Sequence, residues 1–237
     1  MITIGNAQIY HGDMRDILPT LGECAHLVLT DPPYKLVSGG NTTGEMGGCF
    51  DRSEYDNSGS IVECDIDWPD FMPLLYKCLK AGNHAYVMAN NRNVQAMLNE
   101  AEKAGYDFHN LLVWDKGTAT PNRWFMKNLE FIGFFKKGLA KYINDCGAKQ
   151  LVYVEQEDYG KHPTTKPTRL MEHYIVQSTN IEEVVVDPFM GVGSTGLAAI
   201  RSGRKFIGIE KDKKWFDLAV KRLFDYHNSS KQCTLTL

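Results

Sequence analysis

The chain has 237 residues, of which 43% are hydrophobic, 23% charged and 11% aromatic, a balance that suits one enzyme-sized domain and excludes disordered, collagenous and membrane-spanning compositions. Its formal net charge is −3, and its six cysteines are scattered at positions 24, 49, 64, 78, 146 and 233 without a CxxC pair, which argues against a disulfide framework or a zinc site. The opening residues lack a basic stretch followed by an apolar run, and no run approaches the ~18 apolar residues of a membrane helix, so the expectation is a reduced, cytoplasmic protein without a leader.

Apolar runs of strand length recur with helical patterns between them, which predicts an α/β fold built on a largely parallel sheet. The runs fall at residues 7–10, 26–30, 84–89, 111–114, 130–135, 151–154, 184–187 and 205–209. A helix is predicted over 68–81, with Asp67 as N-cap, Pro69 in the first turn and Gly82 as the stop. A second spans 93–104 and ends at Gly105. A third covers 213–226 behind Asp212, where Phe216, Ala219, Leu223 and Tyr226 repeat at helical spacing. No helical pattern separates 111–114 from 130–135, so those two runs are expected to pair antiparallel. Two segments break the alternation. Residues 35–64 are polar and glycine-rich, and a loop of that length is functional or disordered; residues 136–161 are irregular.

Charge is distributed unevenly. Residues 1–109 hold 7 Lys and Arg against 15 Asp and Glu, residues 110–170 hold 10 against 6, and residues 171–237 hold 9 against 8. A polyanion would therefore favour the middle segment.

The sharpest local feature is Thr30-Asp31-Pro32-Pro33-Tyr34, directly after the apolar run His-Leu-Val-Leu. Consecutive prolines end the strand and fix φ twice, leaving carbonyls that no proline N–H can satisfy. The result is a rigid platform carrying a carboxylate, carbonyl acceptors and an aromatic ring at the carboxyl edge of a strand, where open α/β sheets bind ligands. Such a platform suits a planar ring bearing an exocyclic amine.

The second feature is Asp187-Pro188-Phe189-Met190-Gly191-Val192-Gly193-Ser194-Thr195-Gly196, in which a strand runs through a glycine-rich turn into a helix. Lys205-Phe206-Ile207-Gly208-Ile209-Glu210 then forms a strand ending in an acid placed to bond ribose hydroxyls. Gly191-x-Gly193-x-x-Gly196 matches the dinucleotide fingerprint literally, so the turn alone leaves NAD and other adenosine-containing cofactors open.

Together the two motifs resemble those of the amino-group DNA methyltransferases that use S-adenosylmethionine. That family's catalytic motif is (Asp/Asn/Ser)-Pro-Pro-(Tyr/Phe/Trp), and Asp-Pro-Pro-Tyr is the variant associated with adenine N6. Its cofactor motif, Asp-Pro-Phe-x-Gly-x-Gly-(Ser/Thr)-(Thr/Gly), is matched by Asp187 to Thr195. His162-Pro163-Thr164-Thr165-Lys166-Pro167 resembles the family's His-Pro-Thr-x-Lys-Pro element, followed by a helix over 170–177. Asn128-Leu129-Glu130 with Phe134-Phe135-Lys136-Lys137-Gly138 resembles the element before its recognition region, and Gly12-Asp13 its N-terminal Gly-Asp. The catalytic motif comes first and the cofactor motif last, the permuted order of the β class.

The resemblance implies a Rossmann-like S-adenosylmethionine-dependent methyltransferase fold, with a mostly parallel seven-stranded sheet, an antiparallel hairpin strand and helices on both faces. The chain is expected to be one domain over 1–237, with a loop at 35–64 that is mobile without DNA and a short target-recognition segment at about 138–161. The activity implied is site-specific transfer of a methyl group to adenine N6 in a base flipped out of duplex DNA. Cytosine N4 transfer is the alternative within the class, and an NAD-dependent oxidoreductase the alternative outside it. Catalysis would fall to Asp31, Pro32, Pro33 and Tyr34. Cofactor contacts would come from Asp13, Asp31, His162, Thr164, Lys166, Asp187, Phe189, Gly191, Gly193, Ser194, Thr195 and Glu210. No metal is expected. Phosphate contacts would come from Lys116, Arg123, Lys127, Lys136, Lys137, Lys141, Lys149 and Lys161. Trp215 and Phe216 read as packing residues of the last helix. The resemblance leaves open a homodimer and a cognate restriction endonuclease as partners, in a bacterial or phage setting.

Overall fold

The apolar runs join one sheet in the computed structural model, which describes residues 1–33, 65–120, 125–157, 159 and 165–234. In chain order the elements are β1 (Ile2–Ile4), β2 (Ala7–His11), α1 (Met14–Leu21), β3 (Ala25–Thr30), α2 (Trp68–Cys78), β4 (Leu79–Ala89), α3 (Val94–Ala104), β5 (Asp107–Thr120), β6 (Lys127–Lys136), β7 (Leu151–Tyr153), α4 (Thr168–Ser178), β8 (Val184–Asp187), α5 (Ser194–Arg201), β9 (Lys205–Glu210) and α6 (Lys213–Thr234). The 35–64 loop lies outside the described residues, as do Tyr34, Arg123, Lys161, His162 and Thr164. No helix among the described residues is long and apolar enough to cross a membrane.

Among the described residues the sheet has nine strands, in the order β1-β2-β9-β8-β3-β4-β6-β5-β7, not the seven expected. Only β1 and β6 run against the others. The expected antiparallel pair is β5 with β6, in which Leu112 faces Ile132 and Val113 faces Phe131. One added strand, β1, is only three residues long and exists through its hairpin with β2 across Gly5, whose φ is +54°. A segment so short has no period to read, and its partner supplies the order.

Alternation across the strands explains why helices cover both faces. On β3, Leu27 and Leu29 pack with Leu170 and Ile175 of α4, Ala198 of α5 and Leu223 of α6. Ala25 and Val28 face the other way, among Leu18 of α1, Phe71 and Leu75 of α2 and Met97 of α3. Val185 and Val186 of β8 divide between the same two cores.

Asp67 caps α2 as expected. Its carboxylate accepts from Trp68 N at 2.8 Å, while Asp70 Oδ2 accepts from Asp67 N at 2.8 Å, a reciprocal capping box. The helix stops at Cys78 rather than running to residue 81, because Leu79 pairs with Ala25 of β3 and opens β4. Strand pairing overrides the helical spacing there. Gly105 ends α3 in the left-handed region, as expected.

Chain direction fixes where a ligand can sit. From β3 the chain moves to β4 on one side, and from β8 to β9 on the other, so the sheet switches direction between β3 and β8. Open α/β sheets bind ligands in the crevice beyond the carboxyl ends of such strands.

Candidate active site

Thr30, the last residue of β3, and Asp187, the last of β8, meet at this switch point. Thr30 Oγ1 donates to Asp187 Oδ1 at 2.7 Å, and both side chains are buried. Asp187 Oδ1 also accepts from Phe189 N at 3.1 Å. Burial pushes the Asp187 carboxyl up to about 6, against the opposing hydrogen bonds from Thr195, Thr30 and Phe189. This carboxylate therefore ties the turn after β8 to the end of β3.

The turn itself is closed from within. Gly193 N donates to Met190 O at 2.8 Å and Gly191 N to Glu210 Oε2 at 2.9 Å. Gly193 has φ +79° and precedes α5, and a Cβ there would approach that of Ala219 to 3.2 Å, so only glycine fits without strain. Glu210 Oε1 accepts from Asp212 N at 2.7 Å, and burial raises the Glu210 carboxyl above the ordinary range.

Asp31 follows β3 immediately. Its Oδ2 lies 2.5 Å from Lys166 Nζ, and Lys166 Nζ lies 3.3 Å from Glu130 Oε2. Asp31 Oδ1 is buried and has no hydrogen-bond partner among the described residues. Burial raises the Asp31 carboxyl, Lys166 opposes the rise and Glu130 adds to it. Pro32 is buried beside it and Pro33 exposed. At the N-cap of α1, Asp13 accepts from Arg15 N at 2.9 Å and pairs with Arg15 and Lys211, which hold its carboxyl well below the usual range.

These groups line one cleft of about 780 Å³, within the range typical of small-molecule sites. The expected residues Asp13, Asp31, Pro32, Pro33, Lys166, Asp187, Phe189, Gly191, Ser194, Thr195 and Glu210 all reach it. Gly193 stands behind it, against Ala219 and Leu223. Sequence reasoning passed over several walls. Arg15, Glu130 and Met171 line the cleft, and so does Trp215, although Phe216 packs in the core as expected. Arg222 was also missed. It is buried behind the glycine-rich turn and donates to Ser194 Oγ at 3.0 Å, Thr168 Oγ1 at 2.9 Å and Glu157 Oε1 at 2.8 Å. Its only signal is its place beside the helical repeat Phe216, Ala219, Leu223.

The described basic candidates of the middle segment do not form one surface. Lys127 is exposed at the start of β6, on the hairpin beyond the Asp31 end of the sheet. Lys116 pairs with Glu130 at 3.3 Å. Lys137 donates to the carbonyls of Tyr76 and Leu79 and pairs with Glu23, so its ammonium is consumed in holding the fold. Lys136, Lys141 and Lys149 surround a second cavity with His84 and Gln177. That cavity lies toward the amino end of the parallel strands and the carboxyl end of α4, away from Asp31. The chain after β6 returns along that far end, where Asn144 Nδ2 donates to Val176 O and Thr179 O.

The chain matches the family model described as DNA methylase, N6/N4 type, over residues 25–221. It is 30% identical over 241 residues to the Type II methyltransferase M2.LlaDCHI of Lactococcus lactis subsp. cremoris, covering 92% of this chain and 89% of that one. The crystal structure of the M1.HpyAVI–SAM complex superposes with a TM-score of 0.68 and 25% identity, covering 91% of this chain and 99% of the other. The PvuII DNA methyltransferase, described as cytosine-N4-specific, shares the fold, with a TM-score of 0.71, 20% identity and coverage of 95% and 93%. With its paired motifs facing one cleft and a family match spanning most of its length, this chain belongs to the N6/N4 DNA methylase family.

Proposed function

We propose that this chain transfers a methyl group from S-adenosylmethionine to the N6 amine of adenine, in a base flipped out of duplex DNA. The observation that carries this reading is Asp31, a cleft residue with one carboxylate oxygen held by Lys166 and the other buried without a partner among the described residues. A buried acceptor without a donor is costly unless a ligand supplies one. An exocyclic amine does.

S-Adenosylmethionine supplies an electrophilic methyl on a sulfonium, whose C–S bond breaks as the N–C bond forms and the thioether leaves. The adenine amine is a poor nucleophile because its lone pair is delocalised into the ring. Asp31 Oδ1 and the Pro32 carbonyl accept its two hydrogens, favour a pyramidal nitrogen and stabilise the positive charge that develops there. Nitrogen must then lose one proton. Asp31, whose proton affinity burial raises, is the acceptor in reach. Orientation of the two reactants contributes on the order of 7–11 kcal/mol.

The acidic cleft suits a sulfonium cofactor better than a dinucleotide. The amides of Gly191 and Gly193 are already satisfied, by Glu210 and Met190, and the Glu210 carboxylate on Gly191 would repel a pyrophosphate. Both Glu210 oxygens retain a lone pair for ribose hydroxyls. The adenine assignment rests on Asp31, since cytosine N4 relatives more often carry serine there.

The duplex approaches the Asp31 end of the sheet, and Lys127 on the β5–β6 hairpin is the described candidate best placed for phosphate. Type II relatives support a restriction–modification setting. Incubation with S-adenosylmethionine and unmethylated duplex, followed by nucleoside mass spectrometry, tests the reading. N6-methyladenine is expected. N4-methylcytosine would overturn the base, and no methylated base would overturn the activity.

A further inference from the structure

Behind Asp31, four side chains of alternating charge run from the cleft into the sheet. Lys166 Nζ lies 2.5 Å from Asp31 Oδ2 and 3.3 Å from Glu130 Oε2, and Glu130 Oε1 lies 3.3 Å from Lys116 Nζ. Their side chains are 20%, 8%, 19% and 17% exposed from Asp31 outward, so water screens them weakly. They come from four places in the chain: past β3, before α4, on β6 and on β5. No local pattern brings them together.

One ammonium shared by two carboxylates neutralises neither fully. Asp31, Lys166 and Glu130 carry one net negative charge, and the balancing cation, Lys116, stands on the far side of Glu130. The row is neutral overall but has its negative end at the cleft. An ammonium committed to Asp31 alone would leave that pair neutral, and less able to stabilise positive charge on a bound amine.

We propose that Glu130 is a positioning residue for methyl transfer, sharing the Lys166 ammonium from behind so that Lys166 orients the Asp31 carboxylate without fully neutralising it. The inference rests on the role given to Asp31 above and extends it to a residue that acts on Asp31 through Lys166. Among the described residues, two further sets of charged groups stand near Asp31. Asp187 approaches from β8, and Asp31 repels it. Asp13, Arg15 and Lys211 pair among themselves and with Asp65 on the facing wall.

The test is the pH dependence of single-turnover methylation, from about pH 5 to about pH 9, for the full chain and for Glu130→Gln and Lys116→Met. Loss of Glu130 removes a carboxylate that repels charge on Asp31, so the acid limb moves to lower pH while the plateau rate falls about ten- to a hundredfold. Loss of Lys116 strengthens that repulsion, so the acid limb moves to higher pH. Dissociation constants for S-adenosylmethionine and DNA are measured for both variants, and a loss of rate that saturating cofactor and DNA restore overturns the proposal. A purely structural role lowers both rates without opposite shifts. Limbs that move together or stay fixed, or an unchanged Glu130→Gln rate, overturn the proposal. If Glu130→Gln does not fold, the upward shift in Lys116→Met decides alone. A wild-type chain that methylates nothing defeats the underlying reading instead, and so distinguishes the two failures.

Discussion

Replacing Thr30 with valine isolates the hydroxyl that joins the two motif-bearing strands. Valine keeps the shape and removes one donor from Asp187, leaving the Thr195 and Phe189 hydrogen bonds. A hydrogen bond to a charged acceptor contributes about 1.5–3 kcal/mol, which corresponds to a rise of about one to two units in the Asp187 pKa. Asp187 already titrates at about 6 in the fold, against an ordinary value of 3.8. A carboxyl raised on folding binds its proton more tightly in the native state, so stability is lost as pH rises from the unfolded value through the folded one. In wild type that loss is complete just above pH 6, and it amounts to about 3 kcal/mol. In Thr30→Val it continues to higher pH. The variant should therefore be destabilised by about 2 kcal/mol at pH 8 and by well under 1 kcal/mol at pH 5. Urea denaturation of both proteins at the two pH values reads the difference directly. An equal loss at both, or a larger one at pH 5, would refute the assignment of Thr30 as a donor to an ionised Asp187.

Three further outcomes follow from the site. Arg222→Met should lower stability by about 2–3 kcal/mol, less than the ~3–5 of a fully buried pair, because Glu157 is 38% exposed; a thermal melt checks it. Lys127→Ala should weaken duplex binding and reduce the salt slope of log Kd by about one, whereas Lys149→Ala, beside the far cavity, should change neither. S-Adenosylmethionine should raise Tm by mass action and NAD should leave it unchanged.

Much of the framework was legible because it is written locally. β8 and β9 are apolar runs buried on both faces, Asp67 and Asp70 form a cap three residues apart, and Gly105 stops a helix in the left-handed region. Less local features were not. β1 is a strand only through its hairpin, and α2 gives way to β4 at Leu79 because β3 lies alongside. The Thr30–Asp187 bond joins positions 157 apart, and no spacing rule reaches that far. The Lys166–Glu130 contact is hidden for the same reason, although both residues sit in recognisable motifs. Charge counting ranked the middle segment correctly as basic but could not see that Lys137 donates to two backbone carbonyls and pairs with Glu23, or that Lys136, Lys141 and Lys149 surround the opposite end of the sheet.

The most direct test of the account is Asp31→Asn measured twice, once by calorimetric binding of S-adenosylmethionine and once by methyl groups recovered per duplex. The amide keeps the shape and one acceptor but loses the charge and the ion pair with Lys166. Cofactor affinity within a few-fold of wild type, together with transfer reduced by about a hundredfold or more, is the expected pair of results. Undiminished transfer by Asp31→Asn would contradict the role given to this carboxylate and, with it, the reading of the cleft.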